Sequence, residues 1–147
     1  MADMPNSTVP LPAPVRAFLE EPQVASVATI DEDGTPRQAV VWYRLEPDGR
    51  ILVNSRTPRR WCLNLLREPR AAISVVDQRD AYRWIGLTAR VDEVVDDVER
   101  ARDDIVELAH RYHPEGPTDA SISAFRTQPR VSFLLRVTGV HDHLEDD

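Results

Sequence analysis

A chain of 147 residues with 41% hydrophobic and 29% charged residues has the size and balance of one globular domain that buries a core without disulfide staples. Its formal net charge of −7 argues against general nucleic-acid binding, because an acidic surface repels phosphate. All eighteen basic residues are arginine, which excludes Schiff-base catalysis and a P-loop, and the single cysteine, Cys62, excludes an internal disulfide and a multi-thiolate metal site.

Residues 1–12, with Pro5, Pro10 and Pro12 among Asn6, Ser7 and Thr8, read as a flexible arm. The segment MADMPNSTVPLPAP lacks the charged-then-apolar layout of a signal peptide, and no apolar run is long enough to span a bilayer. With one cysteine, this predicts a reduced, cytoplasmic location. The domain is expected over 13–140, with 141–147 as an acidic tail. A first helix starts near Pro14, carries Val15, Phe18 and Leu19, and stops at Pro22.

Val24 to Ile30 reads as a strand, and Asp31-Glu32-Asp33-Gly34 as a hairpin turn. Pro36 to Leu45 reads as one alternating strand, with Gln38, Val40, Trp42 and Arg44 on one face and Ala39, Val41, Tyr43 and Leu45 on the other. A second Asp-Gly turn at 48–49 leads to a third strand, Ile51 to Ser55, completing a meander. Thr57-Pro58 reads as the cap and first residue of a helix that carries Trp61 and Leu65 on its apolar face and ends at Glu68-Pro69.

Arg70 to Val76 is the fourth strand and Tyr82 to Val94 the fifth, with Gly86 marking a bend or a close backbone approach. Asp97 to Tyr112 has the strongest helical spacing, through Val98, Ala101, Ile105 and Leu108, with acids at its start and Arg111 at its end. A short helix at 119–125 precedes the sixth strand, Arg130 to Val140. Six antiparallel strands with flanking helices predict a mainly β fold, a small closed or split barrel.

The stretch from Ile51 to Val76 holds Arg56, Arg59, Arg60, Arg67 and Arg70 against one acid, Glu68, inside an acidic chain. Arg59 and Arg60 fall in the first turn of the predicted helix. There they oppose the helix dipole unless an anion arrives, as expected of a phosphate site. The competing reading is two solvated arginines on a surface helix. Asn54 and Ser55 either donate to a ligand or cap the turn. Trp61 either stacks on a flat ring or fills the core. Gln38, Val40 and Trp42 line a pocket or face solvent. Tyr82 and Trp84 suit an oligomer interface. His110 with His113, and His141 with His143, have metal-ligand spacing, against a helix-terminal cation and a free tail. Cys62, close to the arginines, is either activated or buried packing.

The runs Asn54-Ser55-Arg56-Thr57-Pro58-Arg59-Arg60-Trp61 and Asn64-Leu65-Leu66-Arg67-Glu68-Pro69-Arg70 resemble the signature of the pyridoxamine-phosphate-oxidase-like split barrels. Within these the chain is most similar to the B group of actinobacterial flavin/deazaflavin oxidoreductases. The resemblance covers about residues 14–140 and includes VATIDEDGTPRQAVVWY and Tyr82-Arg83-Trp84-Ile85. It implies a six-stranded split barrel of the FMN-binding type and a homodimer whose cofactor groove lies at the subunit interface.

It further implies that Asn54, Ser55, Arg59, Arg60 and Asn64 hold a phosphate or ribityl chain beside Trp61. Gln38, Ala39 and Val40 would flank the cofactor ring, and Tyr82 and Trp84 would arrive from the other subunit. Many relatives carry lysine where this chain has Trp61, a departure for which Arg59 and Arg60 would compensate. The function implied is hydride transfer from a reduced deazaflavin (coenzyme F-420 type) to an electron-poor small molecule such as an enone, quinone or tetrapyrrole. The alternatives are FMN in the same fold, or a non-catalytic flavin, deazaflavin or haem binder. A substrate pocket is expected at loops 77–82 and 113–120.

Overall fold

The structure, a computed structural model, describes residues 8–145. In chain order the elements are α1 (Ala13–Glu20), β1 (Val24–Ile30), β2 (Pro36–Val41), β3 (Tyr43–Leu45), β4 (Ile51–Arg56), α2 (Arg60–Arg67), β5 (Arg70–Val76), β6 (Trp84–Val95), α3 (Val98–Tyr112), α4 (Asp119–Phe125) and β7 (Arg130–His143). One antiparallel sheet runs β2-β1-β5-β6-β7-β4-β3. The expected barrel-type β fold with flanking helices is present, but with seven strands rather than six.

The extra strand arises at Trp42. The predicted strand 36–45 splits there: β2 pairs with β1, Val41 lying opposite Ala25, whereas β3 pairs with β4, Tyr43 lying opposite Val53. The two outermost strands of the sheet are therefore consecutive in the chain. The sheet curls until its edges lie one residue apart, and Trp42 sits at the seam. Each Asp-Gly turn has its glycine at positive φ, near 90°, where a side chain would be strained.

Alternation sends Val27, Tyr43, Val53, Ile73, Ile85 and Phe133 into the barrel interior, with Val15 and Leu19 of α1 and Trp61, Cys62 and Leu65 of α2. The opposite faces of β4 and β7 send Leu52 and Leu134 outward, where Ile105 and Leu108 of α3 cover them as a second, smaller core. Arg111, at the end of α3, donates to the carbonyls of Leu19, Glu20, Glu21 and Tyr43, so it closes the C-terminus of α1 onto the barrel.

Several expected boundaries shift. Thr57-Pro58 does not open the helix: residues 57–59 form a turn closed by the Arg59 N–H to the Arg56 carbonyl at 3.0 Å, and α2 starts at Arg60 with no side-chain cap. Tyr82 lies in the turn before β6, not in the strand. His141 and His143 belong to β7, paired with Gly86 and Trp84, and Leu144 is buried, so the acidic tail is shorter than expected. In the N-terminal arm, residues 1–7 lie outside the described residues. Val9, by contrast, donates its N–H to the Val137 carbonyl at 3.0 Å and packs with Leu11 on the core.

The β1–β2 hairpin is tied to α2 by a buried polar knot. Arg37 grips both oxygens of Asp31 (2.9 Å each from Nε and Nη2), and the Asn64 amide donates to Asp31 (2.8 Å) and Thr29 (3.1 Å). The Arg37 guanidinium, then Asn64, holds the Asp31 carboxyl down to about 2. Because that value lies below the carboxyl's ordinary 3.8, the stabilisation is complete above that pH and is lost as pH falls through about 2. Urea melts should therefore show Asp31→Asn less stable than wild type at pH 7, with the gap closing between about pH 4 and pH 2; a gap independent of pH would contradict the knot. Asn64→Ala should cost about 1–3 kcal/mol, because it strips two buried hydrogen bonds.

Candidate functional site

A cleft of about 290 Å³ opens between the seam, the end of β4, the start of α2, and α3 with α4. Val40, Val41 and Trp42 form one wall. Ile105, Leu108 and Phe125 form another, with Trp61 also lining the space. Against these apolar walls stand three polar groups, Asn54, Arg59 and Arg130.

Register explains their meeting. Asn54 lies opposite Ser132, and Arg56 opposite Arg130, where β4 pairs with β7. Residues of this parity point away from the barrel interior, toward α3. Asn54 donates to the Ala101 carbonyl (2.9 Å) and to Ser132 Oγ (2.8 Å), and Ser132 donates to Asp104 (2.8 Å). Arg130 donates to Asn54 Oδ1 at 3.2 Å and to Gln128 Oε1 at 2.9 Å from Nε, and its guanidinium lies over the Phe125 ring, 5.2 Å from the centroid. A continuous hydrogen-bonded row thus runs Arg130, Asn54, Ser132, Asp104. Burial pushes the Asp104 carboxyl up, opposed by its bond from Ser132 and by the positive field of Arg44.

Arg130 is the unusual member. It is 7% exposed, yet among the described residues no carboxylate lies within ion-pair distance of it, of Arg59 or of Arg56. Burial, then Arg59, then Arg56, lowers its pKa to about 10, so it stays charged at neutral pH without a counter-charge. A buried cation without a partner is costly to keep. Its hydrogen bonds to neutral side chains solvate it in part. An anion beside Arg59 and Arg130 would complete the arrangement, and the start of α2 adds unpaired N–H groups on the same side.

The residues predicted from sequence divide between several places. Asn54, Arg59, Trp61 and Val40 line this cleft. Arg60 is exposed and 3.6 Å from Asp31. Ser55 is fully buried on the inner face with its hydroxyl lacking a nitrogen or oxygen partner, beside the Cys62 thiol. Asn64 serves the knot with Thr29 and Asp31. Gln38 is exposed and Ala39 half-buried on the edge strand. Tyr82 is 77% exposed, and Trp84 stacks against both His141 and His143 (5.0 and 5.5 Å), which lie side by side on β7.

Cys62 is buried packing, its thiol pushed up by burial. Among the described residues no cluster of three or more metal-ligating side chains forms. Arg130 escaped the sequence reading. Its signal is a charge at the start of a strand whose first half is mostly apolar, Val131 to Leu135, and nothing local places that strand beside Arg56.

The family profile of pyridoxamine 5'-phosphate oxidase matches residues 11–140. No curated protein matches the chain. Among solved structures the chain is similar to an F-420 reductase, at 25% identity and a TM-score of 0.76, covering 89% of this chain and 98% of that one. It is similar to a conserved hypothetical protein of Mycobacterium tuberculosis (22%, TM-score 0.69, 97% and 91% covered). It is also similar in fold to the haem storage protein HutZ of Vibrio cholerae (18%, TM-score 0.66, 88% and 92% covered).

An uncompensated buried cation predicts a separable outcome. Arg130→Met should leave Tm unchanged or raise it in anion-free buffer, because it removes a charge buried at a cost. The same change should abolish the stabilisation that millimolar inorganic phosphate gives the wild type, read by calorimetry. A large loss of stability with phosphate stabilisation retained would show Arg130 to be structural.

Proposed function

We propose that this chain, which belongs to the pyridoxamine 5'-phosphate oxidase family, is an oxidoreductase that binds a phosphorylated flavin-type cofactor in the cleft beside Trp42, a deazaflavin of the F-420 type in preference to FMN. The observation that carries this reading is the pair Arg59 and Arg130, without a carboxylate, at the polar end of an otherwise apolar cleft. The donor set suits a phosphate: two guanidinium groups and the first turn of α2. The apolar walls suit a flat ring. Similarity to an F-420 reductase supports the deazaflavin.

When bound, such a cofactor supplies hydride to an electron-poor acceptor, an enone, quinone or tetrapyrrole. The protein's part is positioning and exclusion of water. Arg59 and Arg130 clamp the anionic end. The Val40–Trp42 backbone and side chains bound the ring, and Ile105, Leu108 and Phe125 keep the opposite wall dry. Asn54 holds Arg130 in place and is itself held by Ser132 and the Ala101 carbonyl. This division of labour accords with the lack of an acid–base pair in the cleft.

We assign the homodimer face to the outer side of β1, β5, β6 and β7. There Ala28, Ala72, Ser74, Gly86, Thr88 and Gly139 make a surface of small side chains on which a second copy would lie close. Tyr82 and Trp84, at its margin, would then reach the partner's cleft. Sedimentation at micromolar concentration should give a dimer; a monomer would remove the shared groove.

Titration by fluorescence quenching should show tighter binding of the deazaflavin than of FMN. Arg59→Ala and Arg130→Met should each weaken deazaflavin binding about tenfold or more, from roughly 1.5–3 kcal/mol per charge-assisted contact. Yellow protein that retains FMN through purification, with no deazaflavin affinity, would select FMN instead.

A further inference from the structure

Gln128 and Arg130 flank Pro129 in a three-residue turn at the start of β7. The Arg130 N–H closes it by donating to the Gln128 carbonyl at 2.9 Å. The turn sets the Gln128 side chain against the Arg130 guanidinium, where Oε1 accepts from Nε, at 2.9 Å, and from Nη2. A guanidinium has only N–H donors, so the amide oxygen of Gln128, not its nitrogen, faces it. A carboxylate in that place would form an ion pair through the same two N–H groups. Gln128 has the shape of such a partner without the charge. We propose that Gln128 is a specificity-determining residue of the anion cleft: its neutral carbonyl orients the Arg130 guanidinium and leaves the positive charge for a phosphate-bearing ligand. The assignment rests on the anion-binding part of the reading above.

The hydrogen-bond count leaves room for that ligand. Of the five N–H groups of a guanidinium, Arg130 gives Nε and one on Nη2 to Gln128, and one on Nη1 to Asn54 Oδ1 at 3.2 Å. One N–H on each Nη remains. Asn54 is as firmly set as Gln128. Its Nδ2 donates to the Ala101 carbonyl and to Ser132 Oγ, and Ser132 donates to Asp104. Turning the Asn54 amide over would break both Nδ2 bonds and point N–H groups at the guanidinium. Both grips on Arg130 are therefore neutral, and both are fixed from behind.

The acids nearby are directed elsewhere. On α3, Glu99 pairs with Arg102 at 3.0 Å, Asp103 with Arg126 at 2.6 Å, and Glu107 with Arg44 at 2.6 Å. Asp104 accepts from Ser132, with Arg44 at 3.7 Å. Arg102 also donates to the Gln128 carbonyl at 3.0 Å, which holds the turn against the helix. An acidic helix thus borders the cleft, yet among the described residues none of its carboxylates comes within ion-pair distance of Arg130. One change at position 128, whose side chain already meets two N–H groups of Arg130, would supply the missing counter-charge.

The isosteric variant Gln128→Glu is the test. In anion-free buffer at pH 7 it should melt above wild type, because an ion pair to a buried cation replaces a neutral contact. By calorimetry, inorganic phosphate should bind it about tenfold or more weaker than wild type. Gln128→Met, which removes the acceptor without adding charge, should keep more of the phosphate affinity than Gln128→Glu. A double-mutant cycle with Arg130→Met adds a readout that a merely structural role would not move: the Tm gain of Gln128→Glu should vanish once Arg130 is gone.

Three results overturn the inference and keep the anion cleft. They are phosphate affinity unchanged in Gln128→Glu, a loss in Gln128→Met as large as in Gln128→Glu, and a Tm gain that persists without Arg130. Failure of phosphate to bind the wild type removes the anion cleft itself, and the role of Gln128 with it.

Discussion

Closure of the sheet on itself at Trp42 is the constraint from which the other features follow. The two edge strands, β2 and β3, are consecutive in sequence, so the sheet has to curl until β1 and β4, their partners, flank a common seam. Curling gives the sheet an inside, which Tyr43, Phe133, Ile73 and Val27 fill, and an outside, which α3 covers over β4, β7 and the end of β6 at Val95. A chain passing from one edge to the other cannot keep an unbroken strand at the crossing. Trp42, released from both ladders, stacks on Tyr112 and borders three clefts. The clefts at the seam are thus a consequence of closure, and two residues on either side of Trp42 are already ordinary sheet.

Charge is distributed with the same economy. Most of the arginines that reach a partner find a carboxylate or a set of carbonyls: Arg37 with Asp31, Arg50 with Asp48 and Asp92, Arg111 with the end of α1. Among the described residues Arg56, Arg59 and Arg130 meet no carboxylate, although the chain has seven more acids than bases by formal charge, and of these three neighbouring cations Arg130 is buried. Its burial does not improve the fold, since replacing a buried charge by an apolar side chain is generally neutral or stabilising. Arg130 is kept in place by neutral acceptors, Asn54 and Gln128, which hold the guanidinium without neutralising it. Asp31 differs, because its charge is answered by Arg37 and Asn64.

Much of the fold was legible because its signals are local. Alternation in β1 and β5, the two Asp-Gly turns, and the three-and-four spacing of α3 each follow from a few adjacent residues, and the structure keeps them. What local pattern does not encode is where a strand changes partner. The alternation of 36–45 passes through Trp42 without interruption, so one strand was expected where two stand. Thr57-Pro58 carries the chemistry of a cap, but the turn closing on Arg56 places it ahead of the helix. Asn64 reads as part of a ligand signature, yet it serves Thr29 and Asp31, and Arg67, on the same helix, donates to the Ile30 carbonyl; both fasten α2 to the first hairpin. A polar residue on a helix face shows the same letters whether it meets a ligand or a neighbouring turn.

Trp61 brings these threads together. The resemblance implies a cation at this position in many relatives, and the choice here was between ring stacking and core. The structure gives it both surroundings: 7% exposed, tilted against Phe133 at 6.5 Å in the interior, and lining the cleft with its remaining edge. An indole so placed supplies shape but no charge. If the cleft is to hold an anion, the positive charge has to enter from another element. Arg130 meets that need from β7, on the far side of the cleft in sequence but opposite Arg56 in register. On the proposed reading Trp61 and the buried Arg130 are two halves of one arrangement, and only the half that lies within the signature is legible before the strands are paired.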